Sequence, residues 1–99
     1  MSVSYQVKNQ DILSLLPTLD ACIETQAKRL HNQTTSALMK TPEDTALQEQ
    51  LEILRLFLEQ ADFKKLRAES EPLLIEGKKV TFTVWREGDK AQWEMKSHP

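Results

Sequence analysis

The sequence has little glycine: two residues among 99, Gly77 and Gly88. A phosphate-cradling loop needs several glycines in a short window, so neither a dinucleotide fingerprint nor a P-loop can be built here. Cysteine is scarcer still, with Cys22 alone. No intrachain disulfide can form, which suits a reducing compartment, and a cytoplasmic setting is expected. There are two histidines, His31 and His98. Cys22 and His31 are nine positions apart, so on a helix they point to different sides and cannot share a metal. Asp20 and Glu24 share a helix face, but no Glu-x-x-His motif accompanies them, and the di-metal bundle pattern is missing. No metal and no cofactor are expected.

No apolar run approaches the roughly 18 residues of a membrane span. The N-terminus lacks the basic start and apolar core of a signal peptide. An excess of one charge is also missing. Thirteen Lys and Arg stand against 15 Asp and Glu, net −2, so nothing draws the whole chain toward nucleic acid. The charge is uneven along the chain. Residues 41–60 carry five acids and one base, and residues 77–99 carry five bases and three acids.

What is present is an ordinary globular composition, 39% hydrophobic and 28% charged, of a length that suits one small domain over residues 1–99. The clearest stretch is Lys78 to Lys96. Val80, Phe82 and Val84 alternate with Thr81, Thr83 and Trp85, and Ala91, Trp93 and Met95 alternate with Gln92, Glu94 and Lys96. Both runs have the period of two that a half-buried strand shows. Gly88-Asp89 between them supplies a two-residue turn. The predicted hairpin, 79–86 with 91–96, pairs Val84 with Trp93 and Phe82 with Met95. Trp85 then stands alone on the polar face. Val3, Tyr5 and Val7 also alternate, and the sequence leaves open whether a strand over 3–7 joins the sheet or the terminus frays.

Asp11 to Pro17 reads as a helical turn that runs into a proline, with the main helix starting at Pro17. Leu16, Leu19, Ile23, Ala27, Leu30, Thr34 and Leu38 recur at spacings of three and four, an amphipathic stripe to about residue 39. Thr41 is placed to cap a second helix, with Pro42 in its first position and Glu43 and Asp44 in its first turn. Leu47, Leu51, Leu54, Leu58 and Ala61 form a heptad-like seam over 42–61. Ile53, Leu56 and Phe57 widen that apolar surface until it needs two neighbours, or one neighbour and a partner chain. Asp62 can cap a shorter segment over 62–70, which Pro72 should end, and the sequence leaves open whether residues 42–70 form one helix or two. The fold class is α+β: an antiparallel αα-hairpin and a shorter helical segment, packed on a C-terminal β-hairpin.

Catalysis has little to work with. A nucleophile needs a base held beside it. Cys22, next to Ile23 on an amphipathic helix, reads as a small core residue. Glu49 with Glu52 and Glu69 with Glu71 read as solvated faces and not as acid–base pairs. The expected function is therefore a non-enzymatic protein–protein interaction or regulatory module. It would self-associate as a homodimer, or bind another protein, through Leu47, Leu51, Leu54, Phe57 and Leu58, with Trp85 as a further contact. The alternative is nucleic-acid binding through a basic patch of Lys64, Lys65, Arg67, Lys78, Lys79 and Arg86. Helices followed by a basic hairpin resemble the winged-helix layout in architecture. The long acidic helix 42–60 and the lack of a clear helix-turn-helix signal oppose that resemblance.

Overall fold

The computed structural model describes residues 12–99. In chain order the elements are β1 (Leu13–Leu15), α1 (Ile23–Lys40), α2 (Thr45–Gln60), α3 (Phe63–Ile75), β2 (Lys79–Glu87) and β3 (Lys90–His98). The three strands form one antiparallel sheet in the order β1-β2-β3. Val80, Phe82 and Val84 are buried on one face, which packs against the helices. Thr81, Thr83 and Trp85 on the other face are half-exposed.

The hairpin has the predicted register throughout, with Val84 opposite Trp93 and Phe82 opposite Met95. It is longer by a residue or two at each end. Gly88 takes a φ of +64° and Asp89 does not, the pattern of a II′ turn with glycine first. Side-chain alternation and turn chemistry demand the same pairing, so the register has no competitor.

The third described strand is not the predicted one. Residues 3–7 lie outside the described residues. Leu13–Leu15 instead pairs with Val84, Thr83 and Phe82, with Leu15 buried and Ser14 turned outward. The helical turn expected before Pro17 is this strand. Hydrogen bonds to β2 and burial of Leu15 outweigh a local helical preference that spans too few residues to sustain itself. After Pro17 the chain makes a tight bend. The Thr18 and Ala21 backbones bond each other at 2.8 and 3.2 Å, and the Thr18 hydroxyl accepts a further bond from the Ala21 amide at 3.0 Å. Helix α1 therefore begins at Ile23 and not at Pro17. Cys22 occupies its N-cap position and is half-exposed, so it is not the core residue that its neighbours suggested.

The other boundaries move for similar reasons. Thr41 sends both its amide and its hydroxyl to the Ala37 carbonyl, at 3.0 and 3.1 Å, and so closes α1. Asp44 caps α2 in its place, accepting from the Leu47 amide at 3.1 Å. A break at Ala61-Asp62 separates α2 from α3, and Asp62 caps α3 through the Lys65 amide at 3.2 Å. Helix α3 runs past Pro72 to Ile75. The proline deprives the Ala68 carbonyl of its donor, but Ala68 and Pro72 are both exposed and water can replace it. Helix α3 ends in a Schellman motif. The Gly77 amide bonds the Leu74 carbonyl and the Lys78 amide the Leu73 carbonyl, each at 3.0 Å, with Gly77 at φ +86°. A Cβ at Gly77 would meet no atom within 4 Å, so the cost of a side chain there is backbone strain alone. Gly77→Ala should lower stability by about 1–2 kcal/mol, read as a shift in the urea midpoint with an unchanged slope.

Helix α2 is central to the core. It contacts α1 on one side and β2 and β3 on another. Ile53, Leu54 and Phe57 are fully buried and Leu56 nearly so. The Phe57 ring meets Phe63 and Trp93 edge-on, at 5.2 and 5.4 Å between centroids. Thr34, buried on α1, donates to the Leu30 carbonyl and accepts from the Gln50 amide of α2, both at 2.7 Å. Among the described residues no buried side-chain nitrogen or oxygen lacks a hydrogen-bond partner.

Candidate functional site

The residues expected to form an interface on α2 differ in how far the chain itself covers them. Leu54 and Phe57 are fully buried inside the chain. Leu58 packs against the same core, and Leu47 and Leu51 are half-buried. The width of the apolar surface is real, but two intrachain neighbours contact this helix: α1, and the sheet through β2 and β3. Trp85 is half-buried on the outer face of the sheet, its indole N–H 3.4 Å from the Glu87 carboxylate.

Three of the six basic residues are in ion pairs. The Arg86 guanidinium holds the Glu49 carboxylate with two bonds, Nη2 to Oε1 at 2.7 Å and Nε to Oε2 at 2.5 Å, and donates to the Gly88 carbonyl at 2.6 Å. Both side chains are mostly covered, so this fork ties the tip of the hairpin to α2. Arg67 lies 3.3 Å from Glu71 and Lys78 3.3 Å from Glu76. Lys64 and Lys65 are exposed on α3, and Lys79 is exposed at the start of β2. Replacing Arg86 or Glu49 by Ala should cost about 1–3 kcal/mol, and the double variant should cost less than the two single ones together. Urea titration of the three variants reads both numbers.

Glu49 and Glu52 serve structure in the same way. Glu49 is held by Arg86. Glu52 is held by Arg55 through two bonds of 2.9 and 2.8 Å, which keep its carboxyl below the usual carboxylate range. Hydrogen bonding to the Thr25 hydroxyl, at 3.4 Å, and to the Thr25 backbone lowers the Cys22 thiol pKa, against a smaller rise from burial. Among the described residues no three His, Cys, Asp or Glu side chains stand together as a metal ion would require. Nor is any described helix long and apolar enough to cross a membrane.

The feature that stands out lies at the open end of the sheet. There the bend after β1, the last turn of α3 and the start of β2 enclose a groove of about 400 Å³. Leu16, Pro17, Leu19, Leu74 and Val80 line it, with Lys78 and Lys79 along one lip. Leu16 and Leu19 are 54% and 59% exposed, and Ile75, which follows Leu74, is 68% exposed. The geometry follows from the local chain. The self-bonded bend over 18–21 turns Leu16 and Leu19 out of α1 altogether, and the Schellman motif brings Lys78 back across Leu74. One signal for this site was in the sequence. Leu73-Leu74-Ile75 are consecutive in a helix, about 100° apart, so all three cannot face one core.

A family model matches residues 12–91, from the residue before β1 to the second residue of β3. The chain belongs to this family, which is uncharacterised. No curated protein and no solved structure matches the chain. The region that defines the family includes all three helices, the hairpin turn and every residue that lines the groove. It stops before most of β3.

Proposed function

We propose that this protein is a non-enzymatic interaction module whose groove at the open end of the sheet takes an apolar segment of a partner protein. The observation that carries the reading is the set of exposed leucines, Leu16 and Leu19, beside a concave surface of about 400 Å³. Isolated exposed apolar residues are common on proteins, but a cluster around a concavity, rimmed by charge, marks a binding surface. The mostly covered fork between Arg86 and Glu49 favours this reading over nucleic-acid binding through Arg86. A cytoplasmic setting belongs to the same proposal, on the strength of the single cysteine.

The double substitution Leu16→Asp with Leu19→Asp tests it. Both residues are more than half exposed, so the fold should be retained with little change in stability. Capture from native lysate should recover a partner with the unaltered protein and lose it by about tenfold or more with the variant, since charge in an apolar contact is strongly unfavourable. Equal recovery by both proteins would count against the groove.

A further inference from the structure

We propose that β3 of this protein pairs antiparallel with β3 of a second copy, with the two-fold axis at Met95. This surface is separate from the groove and does not rest on its function. Glu87 and Lys90 flank the two-residue turn, so they exchange hydrogen bonds, and alternate residues of β3 from Lys90 onward face β2. The residues between them, Ala91, Trp93, Met95 and Ser97, direct their N–H and C=O groups away from β2. The structure records that direction at Ala91, whose amide donates outward to the Gln60 carboxamide oxygen at 2.8 Å. The Gln60 amide in turn donates to the Asp89 carbonyl at 2.8 Å. Gln60 thus covers the edge near the turn. Beyond it, among the described residues, β2 is the one strand beside β3. A groove of about 390 Å³, lined by Lys65, Leu66, Glu69 and Trp93 among others, opens beside this edge.

A nine-residue edge strand is a template for pairing with another chain, and charged side chains are one of the ways proteins guard it. Here the guard is self-complementary. With the axis at Met95, Met95 meets its counterpart, and Trp93 meets Ser97 of the second copy in hydrogen-bonded pairs. Glu94 then meets Lys96 of the second copy, and Lys96 meets its Glu94, at the non-hydrogen-bonded positions where side chains approach most closely. The neighbouring registers fail on charge. An axis at Trp93 sets Lys96 against Lys90 of the copy. An axis at Glu94 or at Lys96 sets a like charge against itself. Within one chain Glu94 and Lys96 make only an exposed contact of 3.5 Å, 56% and 64% accessible, so each is available to a second copy. The pairing joins two three-stranded sheets into one continuous sheet.

The test is the mass of the full chain in solution, by light scattering over a dilution series, for the unaltered protein and for Glu94→Lys and Lys96→Glu. The unaltered protein should approach twice 11.4 kDa. Each variant places like charges opposite one another twice, and should weaken the dimer by about tenfold or more. An equal mixture of the two variants restores both opposite-charge pairs in a heterodimer and should recover the dimer mass. Circular dichroism of each variant checks that the fold is kept. The proposal is overturned by a monomer mass for the unaltered protein throughout, by variants that dimerise as well as it does, or by a mixture that stays monomeric.

Discussion

Leu54→Asp is expected to leave the chain unfolded at 25 °C. Leu54 is fully buried on α2, within the core that this helix shares with the sheet. Loss of the leucine alone would cost about 2–5 kcal/mol. The carboxylate that replaces it gains no partner from Arg55 or Arg86, which are held by Glu52, Glu59 and Glu49 at the surface of α2. An unpaired buried charge costs several kcal/mol more, even after relaxation and water penetration. A domain of this size has roughly 5–15 kcal/mol in total. Far-UV circular dichroism and amide dispersion should therefore show an unfolded chain. A variant that stayed folded with its melting temperature within a few degrees would place Leu54 at the surface. It would return α2 to the role of an exposed docking helix.

Phe57→Ala should be the most damaging truncation. The ring is fully buried and makes edge-on contacts with Phe63 and Trp93, which join α2 to the start of α3 and to β3. Truncation of a buried phenylalanine costs about 3–5 kcal/mol. For a chain of this length that lowers the melting temperature by something on the order of 20 °C. The local signature is as informative as the magnitude. Trp93 loses the ring that packs against it and Trp85, on the opposite face, does not. The indole fluorescence of a Trp85→Phe background should therefore change on Phe57→Ala at temperatures where both proteins are folded. A loss under 1 kcal/mol in urea would mean that these three rings do not form the centre of the core.

The hairpin was legible because two independent signals coincide there. Alternation over Val80–Trp85 and Ala91–Lys96 defines the faces, and Gly88-Asp89 defines the turn. A slip of one residue would violate both. The stripe of α1 was legible from Ile23 onward, and Ile23, Ala27 and Thr34 are its buried residues. Strand β1 was not, because three residues next to a proline carry no usable period, and its existence depends on Phe82 and Val84 far along the chain. The cap of α2 moved from Thr41 to Asp44 because the Thr41 hydroxyl has a closer use at the end of α1.

The site was the least legible part. A seam of leucines shows that a helix is covered and cannot show by what. The spacing of Leu54 and Phe57 suits an interface, but α1 and the sheet lie on both sides of their helix. Leu16 and Leu19 are the opposite case. Their spacing assigned them to the inward stripe of a helix, but the bend at Thr18–Ala21 ends that periodicity before Ile23 and leaves them exposed. Arg86, counted with the basic residues, is committed to Glu49, which lies 37 positions earlier in the chain. No local pattern could have paired them.

The proposed docking of a partner at the open end of the sheet is read most directly by amide chemical-shift mapping of the labelled chain, titrated with a partner recovered by capture. Perturbations should concentrate at residues 16–19 and 74–80, with the outer sheet face around Trp85 unchanged. Perturbations centred on Thr83, Trp85 and Gln92, with residues 16–19 silent, would contradict it and move the docking surface to the opposite face of the sheet.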